Sequence, residues 1–124
     1  MKLRLMPLQT FKKRTVIFLH HRLHEASLIM KPILVLQHAH YDWPAYFTDC
    51  LINWEIPFEL INVAAGDALP LSITDYSGFG VMGGGMSAND EIEYPHLTQT
   101  MTLIKEAVAH RIPVIGHCLG GQLL

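Results

Sequence analysis

Apolar residues in this chain gather into short runs and into stripes at helical spacing, and the two kinds alternate. Ile33 to Gln37 is a continuous apolar run of strand length, the pattern of a parallel strand buried on both faces. Pro44 opens a helical segment with Asp42 as its cap and with Phe47, Leu51 and Trp54 along one face. Phe58 to Asn62 reads as a second strand and Gly78 to Met82 as a short third. Between them Ala64 to Ser77 is a connection rich in Gly, Pro and Asp. Leu97 to His110 predicts a second helix with Leu97, Met101, Ile104 and Val108 as its inward stripe, and Val114-Ile115 predicts a fourth strand. Strand, helix, strand, strand, helix, strand with short links implies a parallel α/β sheet with right-handed crossovers. The expected layout is a flavodoxin-like doubly wound sheet with helices on both faces.

Composition supports one globular domain: 124 residues, half of them hydrophobic, with few charges. The charge is uneven, about +5 over residues 1–30 and −7 over the remainder. An acidic body argues against nucleic acid as a partner, and no apolar run approaches the roughly 18 residues of a membrane span. Residues 1–30 hold Lys2, Arg4, Lys12, Lys13, Arg14 and Arg22 against Glu25 alone, and Met30 stands just before Lys31-Pro32 and the first clean strand. That segment is expected to be a basic N-terminal extension outside the fold. A targeting leader and a binding arm are the other readings. Two cysteines give no disulfide framework, which fits a reducing cytoplasm. Cys50 falls in the first helix and reads as an ordinary buried residue.

The chemistry concentrates at two glycine-rich strand ends. Ile112-Pro113-Val114-Ile115 runs into Gly116-His117-Cys118-Leu119-Gly120-Gly121-Gln122, a nucleophile elbow with cysteine in the place of serine. A strand that turns sharply into a helix lifts its turn residue in a strained conformation, so the positions two before and two after must lack side chains. Gly116 and Gly120 meet that demand. At the start of a helix the sulfur would favour the thiolate form. His117 adjoins Cys118 along the chain, where chain geometry normally points a side chain away from the sulfur, so it reads as a residue that packs or that supports the site from behind. After the third strand come Gly83-Gly84-Gly85-Met86-Ser87, which match neither G-x-x-x-x-G-K-[ST] nor G-x-G-x-x-G. An oxyanion hole needs only one backbone donor there, plus the N–H of Leu119. His38 and His40, after the first strand, have no carboxylate or cysteine nearby at metal spacing, so structural or substrate-rim roles are expected and no metal.

With both sites in hand, the chain resembles the class I (triad) glutamine amidotransferases. The resembling stretch runs from Gly83-Gly84-Gly85-Met86-Ser87 through Asn89-Asp90-Glu91 and Tyr94-Pro95 to Ile112 through Leu123, and residues 31–124 would form the N-terminal half of such a domain. The free-standing proteins related to the glutaminase domain of GMP synthase are the most similar type. The resemblance implies Cys118 as the nucleophile that forms a glutamyl thioester, Gly84 and Leu119 as oxyanion donors, and Gln122 and Gly85 at the bound glutamine. It implies no cofactor, glutamine as substrate and an ammonia-accepting synthetase as partner. Two departures stand out: Gly85 where proline is usual, and His96 where tryptophan is frequent after Tyr-Pro, read as surface or packing. The H-x-E that carries the family's His and Glu matches nothing in the 124 residues. Three alternatives stay open: hydrolysis of other γ-glutamyl amides, an inactive product with a nucleophile but no base, and a flavodoxin-like ligand-binding module. An exposed fourth strand is expected to drive self-association.

Overall fold

The computed structural model describes residues 10–11, 14–17, 30–40 and 44–124. Four parallel strands form its centre: β3 (Ile33–Gln37), β4 (Phe58–Asn62), β5 (Gly78–Val81) and β6 (Val114–Gly116). Their order is β4-β3-β5-β6, with Val35 opposite Leu60 and Gly80, and Gly80 opposite Ile115. This is the flavodoxin-like arrangement, in which the chain reverses direction across β3. Two further strands, β1 (Thr10–Phe11) and β2 (Arg14–Ile17), continue the sheet beyond β4, β2 antiparallel to it. The segment expected to stand outside the fold therefore contributes backbone to the sheet edge.

Helices cover both faces. α1 (Ala45–Asn53) joins β3 to β4 and packs over Val35, Phe58, Leu60 and Met82, with Leu51 buried and Phe47 resting on Gly80. α2 (His96–Ala109) joins β5 to β6 on the opposite face. There it packs with Leu34, Leu36, Ile61, Phe79 and Val81, and the short α3 (Leu119–Leu123) completes the same cluster. The alternation of the two sets along β3, Leu34 and Leu36 against Val35, is the period-two rule of a strand covered on both sides.

Both long helices stop in the same way. Glu55 and Arg111 take left-handed conformations, φ 56° and 57°. The next amides, Ile56 and Ile112, donate to Leu51 and Ala107 five residues back, at 2.8 Å each. This is a Schellman ending without glycine. Pro57 and Pro113 then bar further helix and start the following strands.

The inward faces differ in part from expectation. Trp54 caps α1 and is 72% exposed, because the helix ends one residue earlier and the Schellman turn swings the chain away from the sheet. In α2 the buried residues are Leu97, Thr100, Leu103, Ile104 and Ala107, while Val108 is 65% exposed. The helix is rotated because small Thr100 and Ala107 let it approach the sheet closely. Thr100 bears burial by donating its hydroxyl to the His96 carbonyl at 2.8 Å. Glu106, on the same side, accepts from Ser72 Oγ at 2.7 Å and the Ile73 amide at 2.8 Å, which ties the β4–β5 connection to the helix. Cys50 is half-buried rather than buried. Asp42, the expected cap of α1, lies outside the described residues.

Candidate active site

Three neighbouring strands deliver the site just past their C-terminal ends: His38 follows β3, Gly83-Gly84-Gly85 lie beyond β5, and His117-Cys118 follow β6. Cys118 occupies the turn between β6 and α3 with φ 53° and ψ −111°. Such a backbone conformation costs a non-glycine residue about 1–3 kcal/mol and persists only where the surroundings over-determine it. The surroundings here are backbone. A Cβ on Gly116 would stand 2.5 Å from the Gly120 carbonyl carbon, and one on Gly120 would overlap the Val81 carbonyl oxygen. The His117 amide donates to that same Val81 oxygen at 2.9 Å, the Gly120 amide to His117 O at 3.0 Å, and the Gln122 amide to Cys118 O at 3.1 Å. The elbow is thus clamped onto the end of β5, and the thiol is exposed at its apex.

Gly84 lies against the first residue of α3. A Cβ there would meet Leu119 Cδ2 at 3.1 Å, His38 Cβ at 2.9 Å and Met86 Sδ at 2.5 Å. Among the described residues, neither the Gly84 nor the Leu119 amide donates to a backbone acceptor. Backbone N–H groups that bond nothing else, such as those of Gly84 and of Leu119 directly after the exposed thiol, are the kind of donor that can stabilise an oxyanion formed by attack of a thiol on a carbonyl. The loop beyond is held by its own polar groups: Asp90 Oδ2 accepts from the Ser87 amide at 2.7 Å, and Asp90 N donates to Ser87 O at 3.1 Å.

No protein-family model matches this chain, and no curated protein matches it in sequence. Solved structures do. A glutamine amidotransferase from Methylobacillus flagellatus aligns with a TM-score of 0.72 at 46% identity, over 77% of this chain and 37% of that one. A glutamine amidotransferase from Thermotoga maritima aligns at 0.68 with 29% identity, over 75% of this chain and 40% of that one. The fold is that of a class I glutamine amidotransferase. The chain spans about two fifths of the length of the solved amidotransferases it matches.

Within that amidotransferase fold the elements bring Gly84 up to Leu119, the residue after Cys118. Gln122 is exposed on α3, and Gly85 is exposed with nothing within 4 Å of a Cβ built on it. His117 is exposed rather than packed into the core. His40 is exposed as well, and no group of three metal-binding side chains occurs among the described residues.

The residue that sequence reasoning undervalued is His38. It is 2% exposed, and its ring lies 5.5 Å from that of His96, tilted at an interplanar angle of 33°. Burial first, and then the neighbouring His96, lower its pKa to about 4, opposed by the Met82 backbone. Burial also lowers that of His96. His96 in turn meets the Tyr94 ring edge-on at 5.9 Å. The signal in the sequence was a histidine directly after an all-apolar strand, a position that a doubly wound sheet sends to its ligand edge.

Proposed function

We propose that this chain carries the nucleophilic half of a glutaminase site. The Cys118 sulfur attacks the side-chain amide carbonyl of glutamine, the carbonyl electron pair moves to oxygen, and the Gly84 and Leu119 N–H groups hold that oxyanion. The amide nitrogen takes up the proton that the thiol gives up, the carbon–nitrogen bond breaks to release ammonia, and a glutamyl thioester remains on Cys118. Water then attacks the thioester to give glutamate and the free thiol. Gln122 and Gly85 line the glutamine side of the site, and the released ammonia serves a synthetase reaction.

One observation carries this reading: a cysteine at φ 53°, ψ −111° between two glycines whose side-chain space is filled by backbone. A buried structural cysteine needs neither the exposure nor the strain. The same apparatus would serve other γ-glutamyl amides, since their cleavage passes through the same glutamyl thioester. The proton for departing ammonia needs a general acid, worth about 10²–10⁴-fold in rate, and no H-x-E supplies it in these 124 residues. The chain by itself therefore forms thioester slowly and releases ammonia well below about 1 s⁻¹.

Intact-mass spectrometry after incubation with glutamine tests the reading. The expected result is one glutamyl increment on the chain, absent in Cys118→Ser. Limiting iodoacetamide should label Cys118 ahead of Cys50 in the folded protein. Labelling of Cys50 first, or a glutamyl adduct that survives Cys118→Ser, would overturn the assignment. β6 is the outermost strand on its side, with Ile115 51% exposed, and this edge is proposed to pair with a second copy of the chain. Size-exclusion chromatography showing only monomer would refute that pairing.

A further inference from the structure

A sheet ends in edges whose unpaired N–H and C=O groups can template a foreign strand. β4 is such an edge for the parallel core, and its outward backbone can be accounted for residue by residue. The Ile33 amide donates to the Pro57 carbonyl at 2.9 Å, so Pro57 faces β3. Backbone groups alternate sides along a strand, so Glu59 and Ile61 also face β3, while Phe58, Leu60 and Asn62 face outward. Asn62 is covered from within the chain: its amide donates to Asp67 Oδ2 at 3.0 Å, and its carbonyl accepts from the Asp67 amide at 3.2 Å. Phe58 and Leu60 lie opposite Ile17 and Thr15 of β2. Each outward position of β4 is thus met by the chain itself. With β2 removed, Phe58 to Asn62 would be an open edge five residues long with Glu59 as its one charged residue, and that carboxylate is already engaged by the Tyr76 hydroxyl, which donates to it at 2.8 Å.

We infer that residues 10–17 are a strap that occupies the β4 edge and keeps a second copy of the chain from adding there. The inference goes beyond the glutaminase reading and stands apart from it, because β4 and the Cys118-bearing end of β6 lie on opposite sides of β3 in the sheet order. A backbone ladder reads no side chains, and in the purified protein the strands on offer belong to other copies. The strap replaces that edge with a poorer one. The strand it leaves outermost, β1, is two residues long, and Lys12, Lys13 and Arg14 follow it in the sequence. Very short edge strands and lysine at the edge are among the ways natural sheets block further pairing. The charge of about +5 on residues 1–30 also sets the straps of two copies against each other.

Proline in β2 tests this on the full chain, since proline has no amide to donate to a ladder. Thr15 and Ile17 sit opposite the outward-facing Leu60 and Phe58, so their amides are the ones that meet β4, while that of Val16 points the other way. Thr15→Pro combined with Ile17→Pro should release the strap and at least double the apparent mass in size-exclusion chromatography with light scattering, relative to the unsubstituted chain at the same concentration. Val16→Pro keeps both donors to β4 and should leave the mass unchanged. An excess of a synthetic peptide of residues 10–17 should return the double variant to the mass of the unsubstituted chain, because a strand can refill an open edge but cannot refold an aggregate. Unchanged mass in the double variant, an equal rise in Val16→Pro, or a rise that the peptide does not reverse would overturn the inference. Hydrogen exchange gives a second reading on the unsubstituted chain. The Phe58 and Leu60 amides should be protected alongside those of Glu59 and Ile61, which face β3; exchange at Phe58 and Leu60 as fast as at an open edge would also overturn it.

Discussion

The two glycine-rich strand ends look alike in sequence and are held by different things. In the elbow, the space a side chain would need at Gly116 and Gly120 is filled by backbone: the Gly120 carbonyl carbon, the Gly121 amide and the Val81 carbonyl oxygen. In the β5 loop, Gly84 faces only side chains, and Gly85 faces nothing. Backbone obstacles can yield only by shifting strands and helices, whereas side-chain obstacles can rotate away. The elbow is therefore rigid by construction. The loop is as rigid as the residues packed on it.

That difference can be broken first at Gly120. Gly120→Ala drives a methyl into the Val81 carbonyl that also fixes His117, and the expected loss is about 3 kcal/mol or more, at the high end for overpacking. Chemical denaturation measures it, and a loss below about 1 kcal/mol would show that the elbow can yield after all. Next is the buried histidine behind the loop. His38 is neutral in the folded chain down to about pH 4, while its unfolded counterpart takes up a proton below about 6.5. Between those values the unfolded state binds more protons, so stability falls as pH drops through the window and levels off beneath it, by on the order of 3 kcal/mol in all. His96 shifts in the same direction and adds to the slope. Glu106, held ionised by the Ile73 amide and Ser72, adds a loss at lower pH. Melting curves from pH 7 to pH 4 should show the slope in this chain and a shallower one in His38→Leu; identical slopes would remove His38 as the cause.

Smaller effects sharpen the comparison within the loop itself. Gly84→Ala meets Met86 Sδ, which can swing aside, and His38 Cβ, which cannot. The expected cost is about 1–2 kcal/mol, smaller than at Gly120 because only side chains must move. Chemical denaturation measures it; a cost matching that of Gly120→Ala would erase the distinction. Gly85→Ala meets no neighbour and its φ is not left-handed. Here the expected change is a gain of about 0.4–1 kcal/mol from reduced freedom of the unfolded chain. Destabilisation there would mean that Gly85 needs its freedom in the folded protein.

Much of this was legible in the residues. Apolar runs marked β3 to β6 to within a residue or two, and the helical spacing marked α1 and α2, because period and length depend on backbone geometry that neighbours along the chain settle. The elbow was legible for the same reason: G-x-C-x-G encodes a clash between residues four apart. What could not be read was set by contacts far apart in sequence. Which side of α2 faces the sheet was decided by how closely Thr100 and Ala107 allow approach, so Val108 ended exposed despite its hydrophobicity. The pairing of Arg14–Ile17 with β4 depends on an edge formed by residues more than forty positions later. His38 and His96, some fifty-eight residues apart, were separately unremarkable, and neither spacing nor residue type joined them. Local sequence determined where the chain turns and which residue the turn presents; only the packing of β3, β5 and the start of α2 decided which side chains lie beside the Gly84 loop, because side-chain contacts exist only after distant strands have been brought side by side.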